Sequence, residues 1–211
     1  MIGQLLNWLT ISSNLFNQST ARIIWNLFLA FIPLGISFYL FRPQAIRNIW
    51  WWTFLLIFIA FLPNAPYVLT DSIHIIELSQ QNYPRWAIMI ILIPQYLVFI
   101  TLGFEAYVIA LSKLQQYLQD LLSPRYITLI KAIAHSLCVV GVYIGRFERF
   151  NSWDFITRPA VVLLRTAQDL LDGAKLLSMA IALVVIWLLS ELLESVNQRI
   201  VRLKNSGDTY S

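Results

Sequence analysis

Long apolar runs constrain this chain more than any other feature. They cover about residues 23–41, 46–62, 85–111, 126–145 and 174–193. A helix of ~20 apolar residues is what crosses a hydrocarbon core of ~30 Å. In lipid every backbone polar group must bond within the protein, so helix is the form such runs take. Only 12% of the 211 residues are charged, against ~25% in an ordinary soluble domain, so most of the surface has no means of facing water. The fold class is therefore all-α: a polytopic helical membrane protein with about five transmembrane helices. Residues 1–211 read as a single membrane domain, with an interfacial segment at 1–20, a helical bundle at 23–193 and a polar tail at 194–211.

The punctuation between runs gives the expected order. Residues 1–20 set Leu5, Leu6, Trp8, Leu9, Leu15 and Phe16 among Asn, Ser and Gln, which predicts an interfacial helix lying apart from the first span. Pro33 and Gly35 predict a kink in that span. Pro63 and Pro66 break the second, and a short helix is expected between Asp71 and Gln80. The third contains Pro94, and a polar loop is expected at 112–125. Thr157 and Pro159 look like a helix start, so Val161 to Leu171 reads as an amphipathic helix on the membrane between the last two spans, ended by Gly173. No internal repeat is visible, which disfavours an inverted-repeat transporter. No basic block suits nucleic acid. The expected partner is the lipid bilayer, and nothing in the pattern specifies a cofactor or an oligomeric state.

Five spans place the termini on opposite faces. The 15 Lys and Arg divide seven to eight. The eight (42, 47, 113, 125, 131, 199, 202 and 204) lie on the face of the C-terminus and in shorter loops, which predicts a cytoplasmic C-terminus.

Two polar motifs then emerge on one face, the extracytoplasmic one by that orientation. Pro63-Asn64-Ala65-Pro66-Tyr67-Val68-Leu69-Thr70-Asp71-Ser72-Ile73-His74 follows the second span, and Gly145-Arg146-Phe147-Glu148-Arg149-Phe150-Asn151-Ser152-Trp153-Asp154 follows the fourth. Asp71 and His74 stand three apart, on one side of a helix, as a base and its orienter or as metal ligands would. A closed metal site needs more than two ligands, so Asp154 or Glu77 would have to join. Arg146 and Arg149 are also three apart, and two guanidinium forks on one side bind phosphate or carboxylate. Asn64 and Asn151 offer amide donors. Catalytic candidates are thus Asp71, His74 and Asp154, and substrate-binding candidates are Arg146, Arg149, Asn64 and Asn151. Spacing leaves a plainer alternative open, in which an Arg pairs with Asp71 or Asp154 and clamps the two loops, and Asn64 caps the broken helix.

A second constellation lies within the spans: Glu105, Lys131 and His135 fall at overlapping depths. An isolated carboxylate in hydrocarbon is costly, so a Glu105–Lys131 or Glu105–His135 contact is expected, unless Lys131 snorkels to the surface.

Phe61-Leu62-Pro63-Asn64-Ala65-Pro66-Tyr67 with Thr70-Asp71 and His74, and Tyr143-Ile144-Gly145-Arg146-Phe147 with Arg149 and Asn151-Ser152-Trp153-Asp154, resemble the bacterial membrane family known as domain of unknown function 1361. Trp25-Asn26-Leu27-Phe28-Leu29-Ala30 with Pro33 looks like that family's first-helix pattern, and Gly103 and Tyr107 fall where its third helix has a glycine and a tyrosine. The resemblance covers roughly residues 23–190 and implies a multi-pass protein of the bacterial plasma membrane, with no reaction attached. Trp86 is followed by Ala87-Ile88 where the family often has Tyr-Asp, and Glu148 takes a usually apolar place.

Three classes of function fit these patterns. One is an enzyme or binding protein whose membrane-face site takes an anionic or lipid-linked substrate. Another is a non-catalytic assembly or partner-binding component with a salt-bridge clamp. The last is a small transporter or channel subunit, lined by Glu105, Lys131 and His135.

Overall fold

The computed structural model describes residues 2–81, 83–150 and 154–207. Among them the chain is helical and has no strand. In chain order the helices are α1 (Ile2–Leu40), α2 (Ile49–Phe61), α3 (Asn64–Tyr67), a 3-10 turn (Val68–Ser72), α4 (Ile73–Ser79), α5 (Arg85–Ala87), a π turn (Ile88–Leu92), α6 (Ile93–Gln119), α7 (Pro124–Phe147), α8 (Asp154–Thr157), α9 (Pro159–Leu171) and α10 (Gly173–Gly207). Five segments are long and apolar enough to cross a membrane: Trp8–Leu40, Ile49–Ser79, Arg85–Gln119, Pro124–Phe147 and Gly173–Lys204. Leu56, Ile90, Leu97, Leu177 and Leu188 stand exposed on their outer faces. In water such a surface would drive association; against acyl chains it costs nothing.

Local sequence sets most helix ends. Asn48 caps α2, its side chain accepting from the Trp51 amide at 3.0 Å. Pro124 and Pro159 open α7 and α9, where a missing N–H is no loss. Asp172 Oδ1 accepts from the amides of Ala174 and Lys175 at 3.0 and 3.3 Å and so starts α10. Pro94 cannot donate within its helix, and the chain meets this with the π turn immediately before it.

Two expectations are corrected. Residues 2–40 form one continuous helix, so the N-terminal segment is not a separate interfacial one. Its polar residues pack along the third span: Ser19 Oγ donates to Gln95 Oε1 at 2.8 Å, Tyr83 donates to Gln18 Oε1 at 3.0 Å, and Trp8 stacks on Trp86 at 4.7 Å. These partners keep the polar half in line with the apolar half of the helix, which its composition alone does not reveal. The polar stretch 112–125 is mostly the last turns of α6, which runs to Gln119. The polar tail expected after residue 193 continues α10 as far as Gly207.

Helix α6 is the hub, packing against α1, α3, the 3-10 turn, α7 and α10. After Phe61 the backbone stays right-handed helical past Pro63 as far as Ser79, and α3 packs against α1, α6 and α7, so that Ala65 and Val68 are fully buried. Small residues admit it. A Cβ on Gly103 of α6 would stand 2.7 Å from Val68 Cγ1, and one on Gly141 of α7 would stand 2.7 Å from Pro63 Cβ and Cγ. In lipid, where hydrophobic burial gives little drive between helices, such close backbone approach is a main source of packing energy. It is also what carries Asp71 into the protein interior.

Candidate functional site

Asp71, in the 3-10 turn, is only 2% exposed. Its Oδ2 accepts from the Asn26 side-chain amide on α1 at 2.5 Å. Its Oδ1 faces two further groups: Arg146 Nη1 on α7 at 4.0 Å, and His74 Nε2 at 3.8 Å. One turn along α4, His74 Nδ1 meets Glu77 Oε2 at 2.5 Å. Arg22 on α1 interacts electrostatically with both carboxylates. Tyr96 of α6, fully buried, lies beside the same guanidinium. Four elements from the length of the chain thus meet at one buried carboxylate.

The ring geometry has a chemical consequence. With Nδ1–H donating to Glu77, the free lone pair of a neutral imidazole sits on Nε2, the nitrogen turned toward Asp71. At 3.8 Å these two atoms are too far apart for a direct bond. An oxygen seated off the line between them would reach both, and Arg146 Nη1 lies 4.0 Å from the same carboxylate oxygen. A base, its orienter, a buried acid and a guanidinium around one point can move a proton to or from a bound hydroxyl or phosphate oxygen. Glu77 and Arg22 give their side chains to this group, and two carboxylates face two guanidiniums.

A groove of about 400 Å³ adjoins it. Trp25, Phe28, Leu29 and Ile32 of α1, together with Phe61, form its apolar walls, and Asn26, Asn64 and Tyr67 its polar ones. Trp25 and Phe28 are largely exposed on the bundle surface, so the groove opens toward lipid. Asn26, which holds Asp71, links groove and acid.

The other expected residues separate. Asn64 donates its amide to the Phe61 carbonyl at 3.0 Å, capping the broken end of α2, while also lining the groove. Arg146 and Arg149 do not form a paired fork: α7 ends at Phe147, and Arg149 takes a positive φ of 55° outside it, exposed. The three-residue spacing loses its meaning where the helix stops. Asp154 is held by Arg158 Nη2 at 2.6 Å, four residues along. Asn151 lies outside the described residues. Among the described residues no three His, Cys, Asp or Glu side chains are placed to hold a metal ion.

Glu148, just past the end of α7, ties that helix to α9 and α10. Its carboxylate lies 3.7 Å from Arg165 of α9 and 3.9 Å from Lys175 of α10, and Lys175 also binds buried Asp169 at 2.6 Å.

The expected Glu105–Lys131 and Glu105–His135 contacts do not form. Helix α10 packs against α6 and α7 and supplies other partners. Glu105 accepts from Asn197. Lys131 bridges Glu191 and Glu194, at 2.7 Å each. His135, fully buried, meets the Tyr107 hydroxyl at 2.6 Å and lies against Trp187, ring centres 5.1 Å apart. Spacing within one or two helices had no means of naming residues from a third.

Asn26 and Arg22 are the contributors that motif reading missed. Asn26 did carry a signal: a lone amide in a run of apolar residues is expensive in a bilayer without a partner. The family model described as "Protein of unknown function (DUF1361)" matches residues 25–189, a stretch that includes Asn26 and both loop motifs. No curated protein and no solved structure matches the chain significantly.

Proposed function

The chain belongs to the DUF1361 family, and from the geometry around Asp71 we propose that it binds an anionic amphiphile at the membrane face, headgroup at Arg146 and apolar chain in the adjoining groove. The observation that carries this reading is the convergence of Asp71, His74 and Arg146 beside a lipid-open groove, joined to it by Asn26. Proton transfer by His74, oriented by Glu77, is the chemistry this arrangement offers a bound phosphate or hydroxyl. The charge distribution supports an extracytoplasmic site, since the loops of the opposite face are short and basic.

Native mass spectrometry of the full chain in neutral detergent tests the reading, with a polyprenyl phosphate and the uncharged polyprenol of equal length as probes. The phosphate should be retained and the alcohol lost, and Arg146→Gln should weaken retention by about tenfold, the cost of one charge-assisted contact. Equal retention of both probes, or of the phosphate by wild type and variant, rejects the proposal.

A second reading rests on the same contacts. Asn26 and Arg146 join α1 and α7 through Asp71, which supports a structural clamp in a non-catalytic component. Under it, Arg146→Ala lowers the melting temperature, and adding Asp71→Asn restores it.

A further inference from the structure

The opposite end of the bundle holds a larger cleft, of about 670 Å³, between the end of α1, the turn at residues 42–47 and the last turns of α6. Three cations line it: Arg42, Arg47 and Lys113. Each is held against an aromatic ring. The Arg42 guanidinium lies 5.0 Å from the Tyr39 ring centre, that of Arg47 lies 5.8 and 5.6 Å from Trp51 and Tyr117, and the Lys113 ammonium lies 4.0 Å from Phe38. Arg47 Nε also donates to the Tyr117 hydroxyl at 2.9 Å. Among the described residues none of the three forms an ion pair. Asp120 also lines the cleft, which leaves two positive charges in excess. A ring beneath a cation fixes its position without neutralising it, so the other face of each remains available to an anion.

We propose that this cleft binds the headgroup of an anionic phospholipid. Phosphate oxygens would take the guanidinium and ammonium donors, bidentately in the case of Arg. Apolar Phe38, Phe41 and Leu121 share the wall with the cations, which suits a glycerol backbone and the start of an acyl chain better than a free ion. Depth agrees: Trp50 and Trp52 are exposed at the start of α2, next to the turn, and exposed Trp marks the headgroup level. Basic pockets between transmembrane helices are where lipid phosphates settle. The site lies at the other end of the spans from Asp71 and uses none of its residues.

The test is native mass spectrometry of the full chain in neutral detergent, titrated with palmitoyl-oleoyl phosphatidylglycerol and, separately, with phosphatidylcholine of the same chains. Wild type should hold the anionic lipid at least about tenfold more tightly. The triple variant Arg42→Gln, Arg47→Gln, Lys113→Gln should lose that preference. The tail variant Arg199→Gln, Arg202→Gln, Lys204→Gln should keep it. Should the triple variant not fold, Lys113→Gln alone should weaken binding by about threefold or more. Equal binding of the two lipids by wild type overturns the proposal, as does an undiminished preference in the cleft variants. Displacement by inorganic phosphate equimolar with the lipid overturns the lipid assignment and gives the cleft to a free anion.

Discussion

The Asn26 side-chain amide sits 2.5 Å from the Asp71 carboxylate, across 45 residues of chain. The first span thereby supplies the donor that lets an acid stand almost fully buried between helices. Removing it leaves a carboxylate short of one partner, which costs about 1–3 kcal/mol for a buried group. Asn26→Leu should therefore lower thermal stability in detergent by that amount, and Asp71→Asn should lessen the penalty. A variant as stable as wild type would show that the contact carries no weight.

Val68 and Gly103 offer a packing test. A Cβ at position 103 would stand 2.7 Å from a β-branched side chain with little freedom to move. Gly103→Ala should destabilise by about 1–3 kcal/mol, the usual cost of overpacking. Val68→Ala, introduced beside it, should recover part of the loss, and the recovery is measured as a coupling energy in a double-mutant cycle.

The Lys131 bridge should respond asymmetrically. Lys131 is 14% exposed and Glu194 13%, whereas Glu191 is 50% exposed. Lys131→Met strands two acids, one of them largely shielded, and should cost about 1–3 kcal/mol after allowance for solvent screening. Glu191→Gln alone should cost under about 1 kcal/mol. Thermal melts of both variants check the order, and a larger effect from Glu191→Gln would contradict it.

Helix α9 should loosen when Glu148 is removed. Its ion pairs with Arg165 and Lys175 connect α7 to α9 and α10. Glu148→Ala should raise amide exchange across residues 159–171 while leaving α6 unchanged. Exchange equal to wild type in α9 would assign its anchoring to the Asp169–Lys175 pair alone.

Orientation has its own test. A reporter fused after Ser211 should report a cytoplasmic C-terminus, and a cysteine at exposed Ser72 should react with an impermeant maleimide from outside. The opposite pattern inverts the faces and moves the Asp71 site to the cytoplasmic side.

The membrane fold was legible because lipid imposes length and apolarity on every span, and both are local. The pairing of the two loop motifs on one face followed from helix parity alone. Asp71 and His74 stayed within reach because both lie in short helical turns that keep their spacing. Arg146 and Arg149 did not, because α7 ends between them. The continuation of α1 through its polar first half depends on Gln95, Tyr83 and Trp86, all far along the chain.

By itself, then, the sequence determined that the chain spans a bilayer about five times and that its polar loops gather at one face. Only the tertiary structure decided that Asp71 is buried, that Asn26 holds it, and that Glu105 and Lys131 find their partners on α10. The physical reason is one of range. Insertion into lipid depends on properties summed along a single segment. The partner of a buried polar group depends on which helix packs beside it, and that is set by close contacts such as Val68 against Gly103.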